Sequence, residues 1–109
     1  MFYELRVYKA VPGQLPVLLK RFENDVLPLW ERHGIRATGF WTTLIGPSAN
    51  VALHYMVEWG SLAEREKKWG AFVADPEWHR IRDTSEANGP YVEELSSSIL
   101  VPTSFSRLK

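Results

Sequence analysis

The hydrophobic period of this chain changes at Pro12-Gly13, and that change restricts it to folds that pack a helix against a sheet. From Phe2 to Ala10 the residues alternate, with Tyr3, Leu5 and Val7 on one side and Phe2, Glu4, Arg6 and Tyr8 on the other. Period two with aromatic and branched side chains predicts a strand. From Leu15 the apolar residues Leu15, Leu18, Leu19, Phe22, Val26, Leu29 and Trp30, and then His33, recur at helical spacing. They form one stripe along a helix. Pro16 suits the first turn of that helix. Pro28 lacks an N–H and clashes with the preceding turn, so a kink or break is expected there. Gly34 fits a C-cap.

Two more strands follow, over residues 35–45 and 51–59, joined by Gly46-Pro47-Ser48-Ala49-Asn50 as an antiparallel hairpin loop. In the second of these, Val51, Leu53, Tyr55, Val57 and Trp59 share one face, while Ala52, His54, Met56 and Glu58 share the other. Ser61-Leu62-Ala63-Glu64 reads as a capping box, with Glu64 reaching back to the amide of Ser61. The helix it opens is expected to bury Leu62, Trp69, Phe72 and Val73. Asp75-Pro76-Glu77 starts a second short helix, with Asp75 as cap and Pro76 at its first position. Asn88-Gly89-Pro90 is expected to break it, and Tyr91 to Val101 reads as a last strand.

The order β-α-β-β-α-β is the ferredoxin-like arrangement, an α+β class in which the helices cover one face of a four-stranded antiparallel sheet. The faces Tyr3/Leu5/Val7 and Leu53/Tyr55/Val57 are expected under the helices. The opposite face then carries Phe2, Glu4, Arg6, Tyr8, His54, Met56 and Glu58. It is too aromatic for plain solvent and too charged for a monomer's core. A second copy of the sheet is expected to cover it, which makes these seven the candidate dimer-interface residues.

With 109 residues, one domain over 1–109 is expected. Thirteen basic residues balance thirteen acidic ones, a pattern that gives no footprint for nucleic acid and no polybasic membrane patch. Cysteine is absent, so disulfides, thiolate metal sites and a cysteine nucleophile are excluded. Charges interrupt the apolar start Met1-Phe2-Tyr3-Glu4-Leu5-Arg6, so no signal peptide is expected, and no apolar run reaches the ~18 residues of a membrane span. A cytoplasmic location without membrane insertion is the expectation.

The stretches "YELRVY", "PGQL", "HGIRATGFWTTLIGP", "EWGSLAERE", "DPEWHR" and "SSSILVPTSFS" occur in that order along nearly the whole chain. Together they resemble the NIPSNAP family of the dimeric α+β barrel superfamily. The resemblance implies a homodimer of ferredoxin-like subunits, with higher oligomers open. It carries no established catalytic residues onto this chain. By analogy with heme-degrading monooxygenases of the same superfamily, His79 invites comparison with a heme-binding histidine, although an exposed helical histidine explains it as well.

His54 and Glu58 share a strand face but stand roughly 13 Å apart along it, too far for a direct acid-base pair. A polar dimer seam is the better reading of both. His33 suits a helix C-terminus, where the dipole favours it. In a conceivable pocket formed by Tyr3, Trp30, His33, Trp41 and Tyr55 it is also the one side chain whose ordinary pKa lies near neutrality, which would make it the preferred general base or acid. The catalytic candidates are therefore His33, His54 and Glu58. No metal, nucleotide or serine-hydrolase motif occurs, and no cofactor is expected. Three functions stay open: a homodimer binding a small, partly apolar molecule; a cofactor-independent or heme-using monooxygenase or isomerase; and a structural or partner-binding dimer without a pocket.

Overall fold

The computed structural model describes residues 1–87 and 89–109. Strand β1 (Phe2–Ala10) leads into helix α1 (Leu15–Arg21), a π-helical turn (Phe22–Val26) and helix α2 (Leu27–His33). Strands β2 (Arg36–Thr42) and β3 (Ala52–Trp59) follow, then helices α3 (Leu62–Ala74) and α4 (Pro76–Ser85), and strand β4 (Val92–Leu100). The strands form one sheet in the order β2-β3-β1-β4, with every neighbouring pair antiparallel. This is the expected ferredoxin-like topology. Among the described residues, no helix is long and apolar enough to cross a membrane.

The stripe on the first helical segment is buried as expected, with Leu15, Leu18, Phe22, Val26, Leu29 and Trp30 in the core. The disturbance expected from Pro28 takes the form of the π-helical turn just before it, where the Leu27 N–H reaches back to the Phe22 carbonyl. A widened turn accommodates a proline ring that would otherwise strike the carbonyl four residues earlier. The chain therefore stays helical through Pro28 and stops at Gly34, whose φ of 70° is left-handed.

Several sequence expectations are corrected. The β2–β3 strands are shorter than 35–45 and 51–59, and the connection between Thr42 and Ala52 is correspondingly longer. In α3 only Phe72 is fully buried and Trp69 partly so, while Leu62 and Val73 are exposed. Of the expected Asn88-Gly89-Pro90 breaker, Asn88 lies outside the described residues, whereas Gly89 takes a φ of 114°.

The largest correction concerns the faces of β1. Its register places Glu4 opposite Val57, Arg6 opposite Tyr55 and Tyr8 opposite Leu53. Directly opposed residues share a face. Phe2, Glu4, Arg6 and Tyr8 thus lie under the helices together with Leu53, Tyr55, Val57 and Trp59. Tyr3, Leu5 and Val7 lie on the open face with His54, Met56 and Glu58. Glu4 is 0% exposed and Arg6 8%, so neither can reach a second subunit across the open face. Alternation defines two faces of a strand but not which one is inside, and a one-residue change of parity swaps them completely.

The capping box forms at α3. The Glu64 amide donates to Ser61 Oγ at 3.0 Å, and Glu64 Oε2 accepts from the Gly60 amide at 2.9 Å, one residue before the expected partner. Ser61→Ala should cost about 1 kcal/mol, because an N-terminal amide loses its acceptor. Glu64→Ala should cost less, even though Lys68 also donates to it at 2.9 Å, since that pair is exposed to solvent. Urea midpoints check both, and unchanged midpoints would show that neither cap contributes.

Candidate functional site

Glu4 is the centre of a polar cluster built into the sheet under the helices. Its carboxylate accepts from Arg65 Nε at 2.8 Å, Arg65 Nη2 at 3.1 Å, Arg6 Nη1 at 3.0 Å, Trp59 Nε1 at 3.1 Å and Ser97 Oγ at 2.6 Å. These donors come from β1, β3, α3 and β4, so the carboxylate ties three strands to a helix. Burial pushes the Glu4 carboxyl up, but the hydrogen bonds from Arg65, Ser97, Trp59 and Arg6 outweigh it and bring its pKa down to about 2. A carboxylate that accepts several hydrogen bonds behaves in this way. It is ionised throughout the neutral range.

Arg6 extends the cluster toward the helices. Its Nε donates to the Tyr55 hydroxyl at 2.8 Å and its Nη2 to the Tyr8 hydroxyl at 3.2 Å. The guanidinium lies over the Trp69 ring at 4.7 Å, within the range of a cation–π contact. Burial works against its charge, yet the Tyr55 and Tyr8 hydroxyls and Glu4 raise its pKa above the usual arginine value. Tyr55 is wholly buried and donates to Tyr8 at 3.0 Å. Burial, reinforced by Tyr8 and only partly offset by Arg6, drives its phenol pKa well up. Tyr55 is therefore a neutral link between Arg6 and Tyr8.

Beyond Tyr8 the space between sheet and helices is not filled. A cavity of about 210 Å³ lies there, walled by Arg6, Tyr8, Arg21, Trp30, Trp69 and Trp78, with Phe22, Val26, Phe72, Val73 and Leu95 completing it. It is smaller than most drug-sized pockets, which span roughly 300–1,000 Å³. Edge-to-face and tilted contacts lock its rings: Trp30 meets Phe22 at 5.9 Å, Trp69 at 5.8 Å and Phe72 at 6.1 Å. Arg21 is held by Ser85 at 3.3 Å and Glu86 at 3.6 Å and lies between the Trp78 and Tyr91 rings. Two buried donors in this wall, Arg21 Nε and the Trp30 indole N–H, have no acceptor among the described residues.

The residues singled out from sequence are distributed differently from expectation. Trp30 borders the cavity, and Tyr55 lies in the core behind Tyr8. Tyr3 is on the open face, beside the tail residues Pro102 and Leu108. Trp41, opposite His54, is half exposed on that same face. His33 is absent from the described cavity lining. Its Nε2 pairs with Asp75 Oδ2 at 2.7 Å and ties the end of α2 to the corner between α3 and α4. That contact, with the Glu77 amide, holds the Asp75 carboxyl below the usual carboxylate range.

His54 pairs with Thr43 Oγ1 at 2.9 Å, and Glu58 with Arg36 at 3.4 Å and Thr38 at 3.5 Å, on the side of the sheet away from the cavity. The three catalytic candidates are thus not brought together. His79 Nε2 lies 2.8 Å from the Val73 carbonyl. A carbonyl only accepts, so that nitrogen carries its proton and is closed to a metal. Among the described residues no group of three or more His, Asp or Glu could hold a metal ion.

The residues that sequence reasoning missed are Glu4, Arg6 and Tyr8 as cavity-side groups, together with Arg21, Arg65, Trp69 and Trp78. The one available signal is the pairing of charge with aromatic rings on one side of β1, which in sequence resembles an outward surface.

The sequence matches the model of the NIPSNAP family over residues 3–107. No curated protein matches it. Among solved structures, a NIPSNAP family protein of unknown function from Agrobacterium tumefaciens is 27% identical with a TM-score of 0.86, covering 100% of this chain and 94% of that one. An uncharacterised NIPSNAP domain protein from Burkholderia xenovorans is 26% identical with a TM-score of 0.84, covering 97% of this chain and 98% of that one. A second Agrobacterium tumefaciens NIPSNAP family protein, 23% identical with a TM-score of 0.86 and covering 99% of this chain and 98% of that one, shares the fold.

Proposed function

The chain belongs to the NIPSNAP family, and from that premise we propose that it is a homodimeric binding protein for a small, partly apolar molecule. The cavity carries this reading. It is a space of about 210 Å³ between sheet and helices, with aromatic rings on most sides and guanidinium and phenol groups in its wall. Pockets that bind small molecules combine an apolar lining with a few fixed polar groups in this way. An isomerase or cofactor-independent oxygenase needs a base against its substrate. The described lining offers guanidinium, phenol, indole and hydrocarbon groups instead.

The dimer is supported by the open face. Leu5, Val7 and Met56 are partly exposed there, with Trp41 50% and Leu100 39% exposed. Leu44, Ile45 and Phe105 stand almost fully in solvent nearby in the chain. Exposed apolar side chains on an uncovered sheet face suit an interface. The proposed seam therefore keeps His54, Met56 and Glu58 and takes Leu5 and Val7 in place of Phe2, Glu4, Arg6 and Tyr8.

Two measurements test the proposal. Light scattering at micromolar concentration should give a dimer, and a monomer would overturn the assembly. 2-Naphthol, a neutral fluorescent probe, should bind saturably at one site per chain. Val73→Trp, which fills the cavity from its exposed rim, should abolish that binding. Non-saturable binding, or binding that Val73→Trp leaves intact, would overturn the cavity as the site.

A further inference from the structure

The polar end of the cavity has an uneven balance of charge and protons. Glu4 contributes one negative charge, while Arg6 and Arg65, both bonded to it, contribute two positive ones. Arg21 is matched by Glu86 at 3.6 Å. The Glu4, Arg6 and Arg65 cluster thus carries one net positive charge, and the guanidinium it places at the cavity wall is that of Arg6, 8% exposed over an indole ring. A charge in such surroundings attracts a counter-ion more strongly than it would in water.

The protons point the same way. Tyr55 is enclosed, and among the described residues the acceptor of its hydroxyl proton is Tyr8. The Tyr8 oxygen also accepts from Arg6 Nη2. A phenol oxygen that already accepts two hydrogen bonds still has its own proton to give. For Tyr8 no acceptor of that proton exists among the described residues, and Tyr8 borders the cavity. The Trp30 and Arg21 donors also lack acceptors among the described residues, but both atoms are enclosed behind the wall and do not open onto the space. The wall therefore presents one unused donor, the Tyr8 hydroxyl, and the Arg6 guanidinium to a space that the protein leaves open.

We infer that the cavity selects a monoanion, a carboxylate on an apolar body the size of one or two rings. The carboxylate sits against the Tyr8 hydroxyl and the Arg6 guanidinium, and the ring body lies among Trp30, Trp69, Phe72 and Trp78. This rests on the cavity being the binding site and adds the chemistry of its occupant. Tyr8 acts here as a binding residue: it donates to the carboxylate, and Arg6, through Tyr55 and directly, fixes the direction of that proton.

The test compares two probes of equal shape, 2-naphthoate and 2-naphthamide, by isothermal titration calorimetry at pH 7. The carboxylate should bind at least about tenfold more tightly than the amide, because hydrogen bonds to charged groups are the stronger ones. Tyr8→Phe should weaken 2-naphthoate about tenfold and narrow the difference between the probes, with its thermal midpoint recorded to confirm folding. Equal binding of both probes by the wild-type protein overturns the anion inference and leaves the cavity reading standing. A carboxylate preference that Tyr8→Phe does not change also overturns it, by removing the anion from Tyr8. Failure of both probes, and of 2-naphthol with them, overturns inference and cavity together.

Discussion

Glu4→Ala is expected to lower the unfolding free energy by about 3–5 kcal/mol, the range for breaking a buried ion pair from one side. The loss has a physical source in the guanidinium groups left behind. Arg6 is 8% exposed and loses the carboxylate that balances it, while Trp59 Nε1 and Ser97 Oγ lose acceptors in the same step. Alanine adds a void where β1, β3, β4 and α3 converge. Glu4→Gln keeps the volume and one acceptor oxygen, so it should recover part of the loss without restoring the charge. Urea denaturation of the two variants checks this. A loss below about 1 kcal/mol for Glu4→Ala would mean that the cluster is solvated and does not hold the sheet to α3.

The second large effect is with acid. The Glu4 pKa is about 2 in the folded chain against an ordinary value of 4.5. A depressed folded-state pKa gives stability that is complete above the unfolded value and is lost as pH falls toward the folded one. The window here runs from about pH 5 down to pH 2. The full shift corresponds to about 3 kcal/mol. The Arg65 side chain is 32% exposed and therefore partly screened, so about 2–3 kcal/mol is expected. Other carboxylates, including Asp75 and Glu64, are lowered as well and add to acid sensitivity. The contribution of Glu4 is isolated by subtracting the Glu4→Gln curve from that of the wild type. The gap between them should shrink across this window and stay constant above pH 5.

The fold was legible in the sequence where one physical signal dominated. The helical stripe from Leu15 to Trp30, the caps at Ser61 and Asp75, and the alternation in β1 and β3 each depend on local chemistry. In sequence they predict the β-α-β-β-α-β order, and the sheet order follows from it. The site was not legible for a reason that also lies in β1. A strand with Glu4 and Arg6 on one side and Leu5 and Val7 on the other reads as charged-side-out, because burying unpaired charges is costly. That reading fails when the charges satisfy each other. Arg65 comes from α3, 61 residues away from Glu4, and in sequence it is one charge within a helical "LAERE" run. Nothing local marks it as a partner for β1.

The register fixes the outcome, since pairing Arg6 with Tyr55 turns every even-numbered residue from Phe2 to Tyr8 inward. The histidines misled for the opposite reason. His33, His54 and His79 each look reactive in isolation, but each is engaged by a neighbour, Asp75, Thr43 and the Val73 carbonyl respectively. Local explanations of this kind are visible only once the elements are assembled.

The five tryptophans of the chain allow the binding site to be located directly, because each has an indole N–H that gives its own signal in a ¹H–¹⁵N correlation spectrum. Trp30, Trp69 and Trp78 border the cavity, whereas Trp41 lies half exposed on the far side of the sheet. Titration of the ¹⁵N-labelled protein with 2-naphthol should move the Trp30, Trp69 and Trp78 signals together along one saturable curve and leave Trp41 in place. Shifts confined to Trp41, or no indole shift at saturating probe, would contradict a ligand site beneath the helices.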